Sequence, residues 1–465
     1  MYSLAETDFE IPSKHMKKVG LFLFVVWVAA GWVLASDKGS DSQAQPQTSG
    51  VQASDTNPPA SVLTLDDIIR EGLQKNPSVQ AAFHQVEAQR RRVPQVRTLP
   101  DPVVSTGWNG NIAPFTVQNG DPSSSRFVSV SQQLLYPGKL KLRGDVVSKE
   151  VEAANWDYEA VRRRVVLDLK MAYYDYFFQD KAIQTTQRNK DLLQKLASIA
   201  EARYRVGKGI QQDILKSQVE ISLLLQKLTV LEQQKKTAQV RLNTLLARDP
   251  DSPLPPAADI SAPVIATSLE GLYAQAHAAD PVLQREQTMV QRTDVAISLA
   301  KRDYYPDFSI GYMYQQRPDM PDMNGFTFGV NIPIFYKTKQ REAVRQATEE
   351  RISAERSRDN RRNELNFELK QQYLAAQASS QLLRLYSQGV VPQSSLALES
   401  SMSAYQVGNV DFLTVLGNFS TLLNYQVDYY RELANYESAL ARIEALIGVD
   451  PAAAKPTTDV QTEKR

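Results

Sequence analysis

Between Gly138 and Asp249 the chain contains no proline, and its apolar residues keep helical spacing almost throughout. Val147, Val151, Ala154, Tyr158, Val161 and Val165 step by four and three, the seam of a coiled coil. The stretch from Lys139 to Tyr204 gives about 66 residues, roughly 100 Å of helix at 1.5 Å per residue. A compact domain has no use for such a helix. It is interrupted at Tyr204-Arg205-Val206-Gly207-Lys208-Gly209, where glycine supplies the backbone freedom of a reversal. A second helix follows from about Gln212 to Ala247, half as long, so this segment is predicted to be the tip of a helical hairpin.

The tip has an echo. Tyr405-Gln406-Val407-Gly408-Asn409-Val410-Asp411-Phe412 repeats the Y-x-V-G pattern about 201 positions later, and the same offset lays Arg241 to Pro250 on Arg442 to Pro451. Asn76-Pro77 with Asp280-Pro281, and Leu99-Pro100 with Tyr305-Pro306, recur at nearly that spacing. The chain is a tandem duplication.

Each copy follows one plan: a helix, two strands, a long helix, a tip and a half-length helix. The first structural repeat covers 63–250, with a helix over 64–97, strands near 103–108 and 127–135, and the hairpin tip at 204–213. A Pro-rich linker, 251–267, leads into the second repeat over 268–450. That repeat has a helix over 268–302, strands near 307–314 and 326–335, and its tip at 405–412. Gly389 and Pro392 are expected to kink its long helix. The lengths place helix 268–302 in line with helix 212–247, and helix 64–97 in line with helix 412–447, giving four columns about 100 Å long. Residues 451–465 are expected to form a flexible tail.

Lys17-Lys18, the apolar run Val19 to Ala35, and the ending Val33-Leu34-Ala35-Ser36 have the order of a secretory signal over 1–35. An uncleaved inner-membrane anchor is the other reading of the same run. Residues 36–62 have the composition of a disordered leader. Lys plus Arg (53) and Asp plus Glu (52) nearly cancel, which removes the electrostatic case for nucleic acid as partner. The lack of cysteine excludes disulfides and thiolate metal sites.

The strands carry the functional signal. Phe326, Phe328, Val330, Ile332 and Ile334 alternate with small or polar residues, as do Phe308, Ile310, Tyr312 and Tyr314. One greasy face and one polar face is the pattern of a membrane barrel strand, so Phe308, Ile310, Tyr312, Phe326, Phe328, Val330 and Ile332 are expected to face outer-membrane lipid. Tyr136, Tyr304, Tyr305, Phe335 and Tyr336 fall where strands meet helices and are expected to form an aromatic girdle. Four strands cannot close a barrel, and an open edge is not tolerated in lipid, so the chain must oligomerise. Two chains give eight strands; three give twelve, wide enough for an aqueous channel.

With this layout the chain resembles the outer-membrane efflux protein family, the TolC-like channels, from about Leu63 to Asp450. Gln132-Gln133-Leu134-Leu135-Tyr136-Pro137-Gly138-Lys139 with Arg143 is similar to the junction of its heavy-metal, CzcC-like branch. The resemblance implies a mainly α fold with a small β part, assembled as a homotrimer. In it a helical barrel in the periplasm joins a 12-stranded transmembrane β-barrel in the cell outer membrane. It also implies a periplasmic adaptor (membrane-fusion) protein and an inner-membrane pump as partners, with Tyr204, Val206, Gly207, Tyr405, Val407 and Gly408 at the adaptor contact. The family gate uses Tyr, Arg and Asp. Here Val410 stands where the second tip would carry Arg, and Thr414 and Gly417 where it would carry Asp. A different entrance constriction is expected, lined by Asp213, Asp411 or Phe412, whose symmetry-related carboxylates would favour cations. The other reading of both aspartates is as caps of the helices that follow the turns.

No catalytic constellation is legible, and neither an enzyme activity nor a cofactor is expected. His84 and His277 lack partners at metal-ligand spacing, and His15 lies in the leader. Met313, Met320 and Met323 are the one soft-donor group, two of them in a presumed loop. Arg90-Arg91-Arg92 and Arg162-Arg163-Arg164 fit solvated or lumen-facing helix surface. No Gly-rich phosphate loop is present, so energy must come from a partner. Two function classes result: a passive exit duct for small molecules or metal ions, and an exported structural or adaptor-like coiled-coil protein without channel activity. The second leaves the repeated amphipathic strand pairs without a purpose.

Overall fold

The computed structural model describes residues 63–110 and 117–451; the expected signal and leader, and the expected tail from 452 on, lie outside the described residues. The first repeat comprises α1 (Leu65–Lys75), α2 (Pro77–Arg97), β1 (Val103–Asn109), β2 (Ser125–Leu134), α3 (Lys139–Arg205) and α4 (Gln211–Leu245). The second comprises α5 (Leu269–Ala279), α6 (Pro281–Arg302), β3 (Asp307–Gln316), β4 (Met323–Asn331), α7 (Gln340–Leu385), a π turn (Tyr386–Val390), α8 (Val391–Val407) and α9 (Phe412–Ile447). The 67 residues of α3 make a rod of roughly 100 Å.

Each leading helix, expected as one piece, is two. The break falls at Asn76 and at Asp280, both extended, because the residue before a proline is driven out of the helical region. Pro77 and Pro281 then open the next helix, where a missing N–H costs nothing. Asn76 Oδ1 accepts from Ser78 N at 2.9 Å and Asp280 Oδ1 from Leu283 N at 2.7 Å, each capping the helix it precedes. Where a kink is expected, at Gly389 and Pro392, the structure has a π turn, in which Val391 N bonds to Tyr386 O, one residue further back than in α geometry.

The column assignment differs from the one drawn from lengths. α3 packs against α4 and α9 in one half of its length and against α2 and α6 in the other, while α7 lies against α6 and α9. The helix continuing α4 is thus α1–α2, and the helix continuing α9 is α5–α6. Asn76 Nδ2 donates to Leu245 O at 2.8 Å, and Arg248 is ion-paired with Glu71, tying the end of α4 to α1. The linker is what moves the chain across. Tyr176 OH donates to Pro255 O (3.2 Å), Tyr173 OH to Ala258 O (3.5 Å) and Tyr436 OH to Pro263 O, so the Pro-rich segment runs over the face of α3 to α9 before α5 begins. Length alone carries no information about that lateral step.

Two apolar cores result. One, at the linker level, gathers Leu169, Tyr173, Tyr176, Phe177, Leu242, Leu272 and Ile443; the other, toward the tips, gathers Leu193, Leu196, Leu224, Tyr405, Phe412, Val415 and Phe419.

The four strands form one antiparallel sheet in the order β1-β2-β3-β4, with β1 and β4 at its margins. β4 stops at Asn331, short of the expected 335, because Pro333 cannot donate to a ladder and Ile334 N turns back onto Ile332 O at 2.9 Å. Ile332 therefore lies beyond the paired strand, a correction to its place among the strand positions.

Candidate functional site

The register assembles one apolar face from both repeats. Phe308 pairs with Val330, Ile310 with Phe328 and Tyr312 with Phe326, while across β2 Val130 pairs with Tyr312 and Val104 with Val130. Because side chains alternate, these residues share one side. Phe326 is 83% exposed and Phe328 70%, with Ile310, Tyr312, Val330, Val104 and Val130 exposed as well. Phe308 is half-buried, its ring stacked on Phe328 at 6.0 Å. The opposite side carries mainly small or polar residues, Ser105, Gly107, Ser129, Ser131, Ser309, Gly311, Thr327 and Gly329, together with Val103, Phe127 and Met313. An exposed apolar patch of this extent on a sheet calls for a cover.

Below the sheet the aromatic residues cluster in two sets. Tyr136 stacks on Tyr305 at 4.6 Å, with the Arg302 guanidinium within 6 Å of both rings, and Tyr304 meets Tyr336 at 6.5 Å. Phe335 is 70% exposed. Here β2 passes into α3 through Gly138, in the left-handed region at φ 90°. Lys139, the first residue of α3, is buried and donates to Asp307 Oδ1 (2.9 Å) and Tyr305 O (3.1 Å), with Asp303 at 3.4 Å. A cation at a helix N-terminus opposes the helix dipole, and these acceptors offset that.

At the far end the two hairpins meet. Gly207 (φ 72°) and Gly408 (φ 89°) end α3 and α8 in left-handed conformation. Tyr405 and Phe412 are buried, ring centroids 5.4 Å apart, and Tyr405 OH donates to Asp213 Oδ2 at 2.9 Å. Burial, with the Asp213 carboxylate beside it, pushes the Tyr405 hydroxyl up to about 12, so it stays a donor at neutral pH. Arg203 lies over the Tyr405 ring at 4.5 Å. Asp411 accepts from Thr414 N at 2.8 Å as the N-cap of α9, and that bonding holds its carboxyl below the usual range.

Of the three constriction candidates, then, Phe412 belongs to the tip core, Asp411 serves as a cap, and Asp213 bridges the hairpins. Tyr204 (46% exposed), Val206 (67%) and Val407 (72%) are open to solvent, as are Ile210 and Leu413. Sequence reasoning missed Arg203 and Lys139 as site residues. Elsewhere, His277 Nε2 bonds Asn366 Oδ1 at 2.7 Å, Arg90 and Arg162 pair with Glu87 and Glu159 on their own helices, and Arg92 pairs with Glu150 of α3. No helix among the described residues is long and apolar enough to cross a membrane.

Comparison with known proteins agrees with this layout. Residues 68–248 and 272–449 each match the outer membrane efflux protein model, one match per repeat. The chain is 24% identical over 343 residues to the pyoverdine export outer membrane protein OpmQ of Pseudomonas putida, spanning 69% of this chain and 70% of that one. Its fold is similar to the outer membrane protein VceC of Vibrio cholerae (TM-score 0.70, 16% identity, 83% of this chain and 96% of that one). It is also similar to the MtrE outer membrane channel of Neisseria gonorrhoeae in its open state (TM-score 0.69, 15% identity, 83% and 88%). With both halves of the duplication matched in register, the chain belongs to the outer membrane efflux protein family.

Proposed function

We propose that this chain is the exit duct of a tripartite efflux system: a passive homotrimer whose twelve strands close a barrel in the outer membrane and whose helices form a tunnel through the periplasm. The observation that carries the reading is the four-stranded sheet, with an exposed apolar face, a face of mainly small or polar residues, and a strand margin at each side. Such a sheet is stable in lipid only when its margins pair with further copies. The helices have matching flanks. Leu215, Val219 and Leu223 of α4 are exposed on one side of the layer, and Leu374, Leu385 of α7 and Leu396 of α8 on the other. Two different flanks make a head-to-tail contact, which closes into a ring.

In this reading Phe308, Ile310, Tyr312, Phe326, Phe328 and Val330 face lipid, and Tyr136, Tyr304, Tyr305, Phe335 and Tyr336 mark the periplasmic interface. The exposed tip residues Tyr204, Val206 and Val407, with Gly207 and Gly408 shaping the turns, meet a periplasmic adaptor protein. An inner-membrane pump supplies the energy. The Asp213–Tyr405 bond holds the entrance narrow. The cargo is a small molecule or a metal ion, and the relative named for pyoverdine export favours the first.

The deciding experiment is fractionation followed by planar-bilayer recording of the purified protein. Recovery in the outer membrane and discrete conductance steps are expected. Recovery as a soluble periplasmic rod without conductance would overturn the proposal in favour of a structural coiled-coil protein.

A further inference from the structure

The Tyr405 side chain is held from three directions, and the third is supplied by a residue outside both turn motifs. Its hydroxyl bonds Asp213, one face of its ring meets Phe412, and the guanidinium carbon of Arg203 lies 4.5 Å from the ring centroid. Arg203 is itself fixed: Nη2 donates to Lys208 O at 3.0 Å, across the turn that α3 makes into α4. The first hairpin thus clamps a residue of the second with both its arms, Arg203 from the end of α3 and Asp213 from the start of α4.

We infer that Arg203 is the positioning residue of this latch, fixing the plane of the Tyr405 ring so that its hydroxyl stays on Asp213 and the two tips stay together. The inference rests on the channel reading and extends it. Two features carry it. First, the second tip, Tyr405 to Leu416, carries no Lys or Arg, so the positive charge beside the Asp213–Tyr405 pair comes from the first tip. Second, Arg203 Nε and Nη1 are buried and have no hydrogen-bond partner. A guanidinium desolvated in this way gains from the ring face what water would otherwise give it, because cation–π attraction strengthens as water is removed. It regains hydration when the tips part. The closed tip is therefore held by a ring contact and one hydrogen bond between the hairpins, with two unpaired donors opposing them. That balance suits a latch that a partner must open.

The test is planar-bilayer recording of the purified full chain. The variants are Tyr405→Phe, Arg203→Gln, Arg203→Lys, their combinations with Tyr405→Phe, and Arg205→Gln, an exposed neighbour paired with Glu201. Arg203→Gln should raise the conducting fraction about fivefold, as Tyr405→Phe does, the effect of removing roughly 1 kcal/mol from the closed state. The combination should exceed neither single change, because the two residues act as a unit. Arg203→Lys should recover at least part of the closed behaviour, and Arg205→Gln should match the unaltered protein. If Arg203→Gln fails to assemble, non-additivity of Arg203→Lys with Tyr405→Phe supplies the same evidence. An Arg203→Gln protein that gates like the unaltered one while Tyr405→Phe opens, or effects that simply add, would overturn the inference and leave the channel reading standing. No conductance from any variant would overturn both.

Discussion

Tyr174 on α3 donates its hydroxyl to Glu437 Oε2 on α9 at 3.3 Å, and both side chains are buried. The second carboxylate oxygen, Oε1, has no partner. Burial pushes the Glu437 carboxyl from an ordinary 4.5 up to about 7, against the opposing pull of the Tyr174 bond and the Lys170 charge. A raised carboxyl value means that the folded state holds a proton that the unfolded chain releases. The resulting stabilisation is fully present below about pH 4.5 and is lost as pH rises through about 7. Glu437→Gln should leave stability near its original value at pH 5 and raise it at pH 8 by on the order of 3 kcal/mol, at about 1.4 kcal/mol per pKa unit. Denaturant midpoints at the two pH values measure this. An equal gain at both would mean that the carboxyl does not titrate in this range.

Lys139 is the second buried charge with consequences. Its amine sits among Asp307, Asp303 and Tyr305 O where β2 becomes α3, and Asp307 Oδ1 also accepts from Tyr136 N at 2.8 Å. Removing the lysine strands Asp307, whose side chain is 17% exposed. Lys139→Met should cost about 3–5 kcal/mol, the usual penalty for breaking a buried pair from one side. Adding Asp307→Asn should restore much of that loss, since the amide oxygen still accepts from Tyr136 N while the unpaired charge is gone. Chemical denaturation of the two variants measures the recovery, and a double variant no more stable than Lys139→Met would assign the loss to packing of the lysine stem.

Much of the architecture was legible before any coordinates because it is periodic. Heptad spacing marks α3, alternation marks β3 and β4, and the offset of 201 pairs the tips. What escaped was lateral and asymmetric. Nothing local says that the linker carries the chain from the α4 column to the α9 column; that follows from Tyr173, Tyr176 and Tyr436 holding the carbonyls of Ala258, Pro255 and Pro263. The latch was half visible. Shifting the first tip by 201 places Tyr204 on Tyr405 but Arg203 on Ala404 and Asp213 on Thr414. The two residues that clamp Tyr405 are thus positions where the repeats diverge, and the matched tyrosines have opposite fates, Tyr204 46% exposed and Tyr405 3%. Divergence between the copies was a signal; the partner across the tips was not readable from it. The helix breaks were missed although their signal was present, since Asn76-Pro77 and Asp280-Pro281, noted only as repeat landmarks, are also stop-and-restart pairs.

The sheet allows its two faces to be separated by experiment. Phe328 lies mid-strand in β4, paired with Ile310 and 70% exposed; Thr327, its neighbour, points to the opposite side and pairs with Gly311. If the apolar face meets lipid, Phe328→Arg places a charge near the membrane midplane at about 2–4 kcal/mol per copy, and the oligomer carries that cost once per chain. Assembly into the outer membrane should fall sharply. Thr327→Lys adds a charge of the same sign one residue away, on the polar face, and should leave assembly intact while shifting the ion selectivity of the pore toward anions. Ile332→Arg is the third arm. Ile332 is as exposed as Phe328 but lies beyond Asn331, the last paired residue, so it sits toward the aqueous boundary, where an arginine costs about 0–1 kcal/mol. Membrane-fraction yield and reversal potential, measured together, give the outcome. Equal loss of assembly for Phe328→Arg and Thr327→Lys would mean that both faces are packed against protein, and the barrel would have to be abandoned.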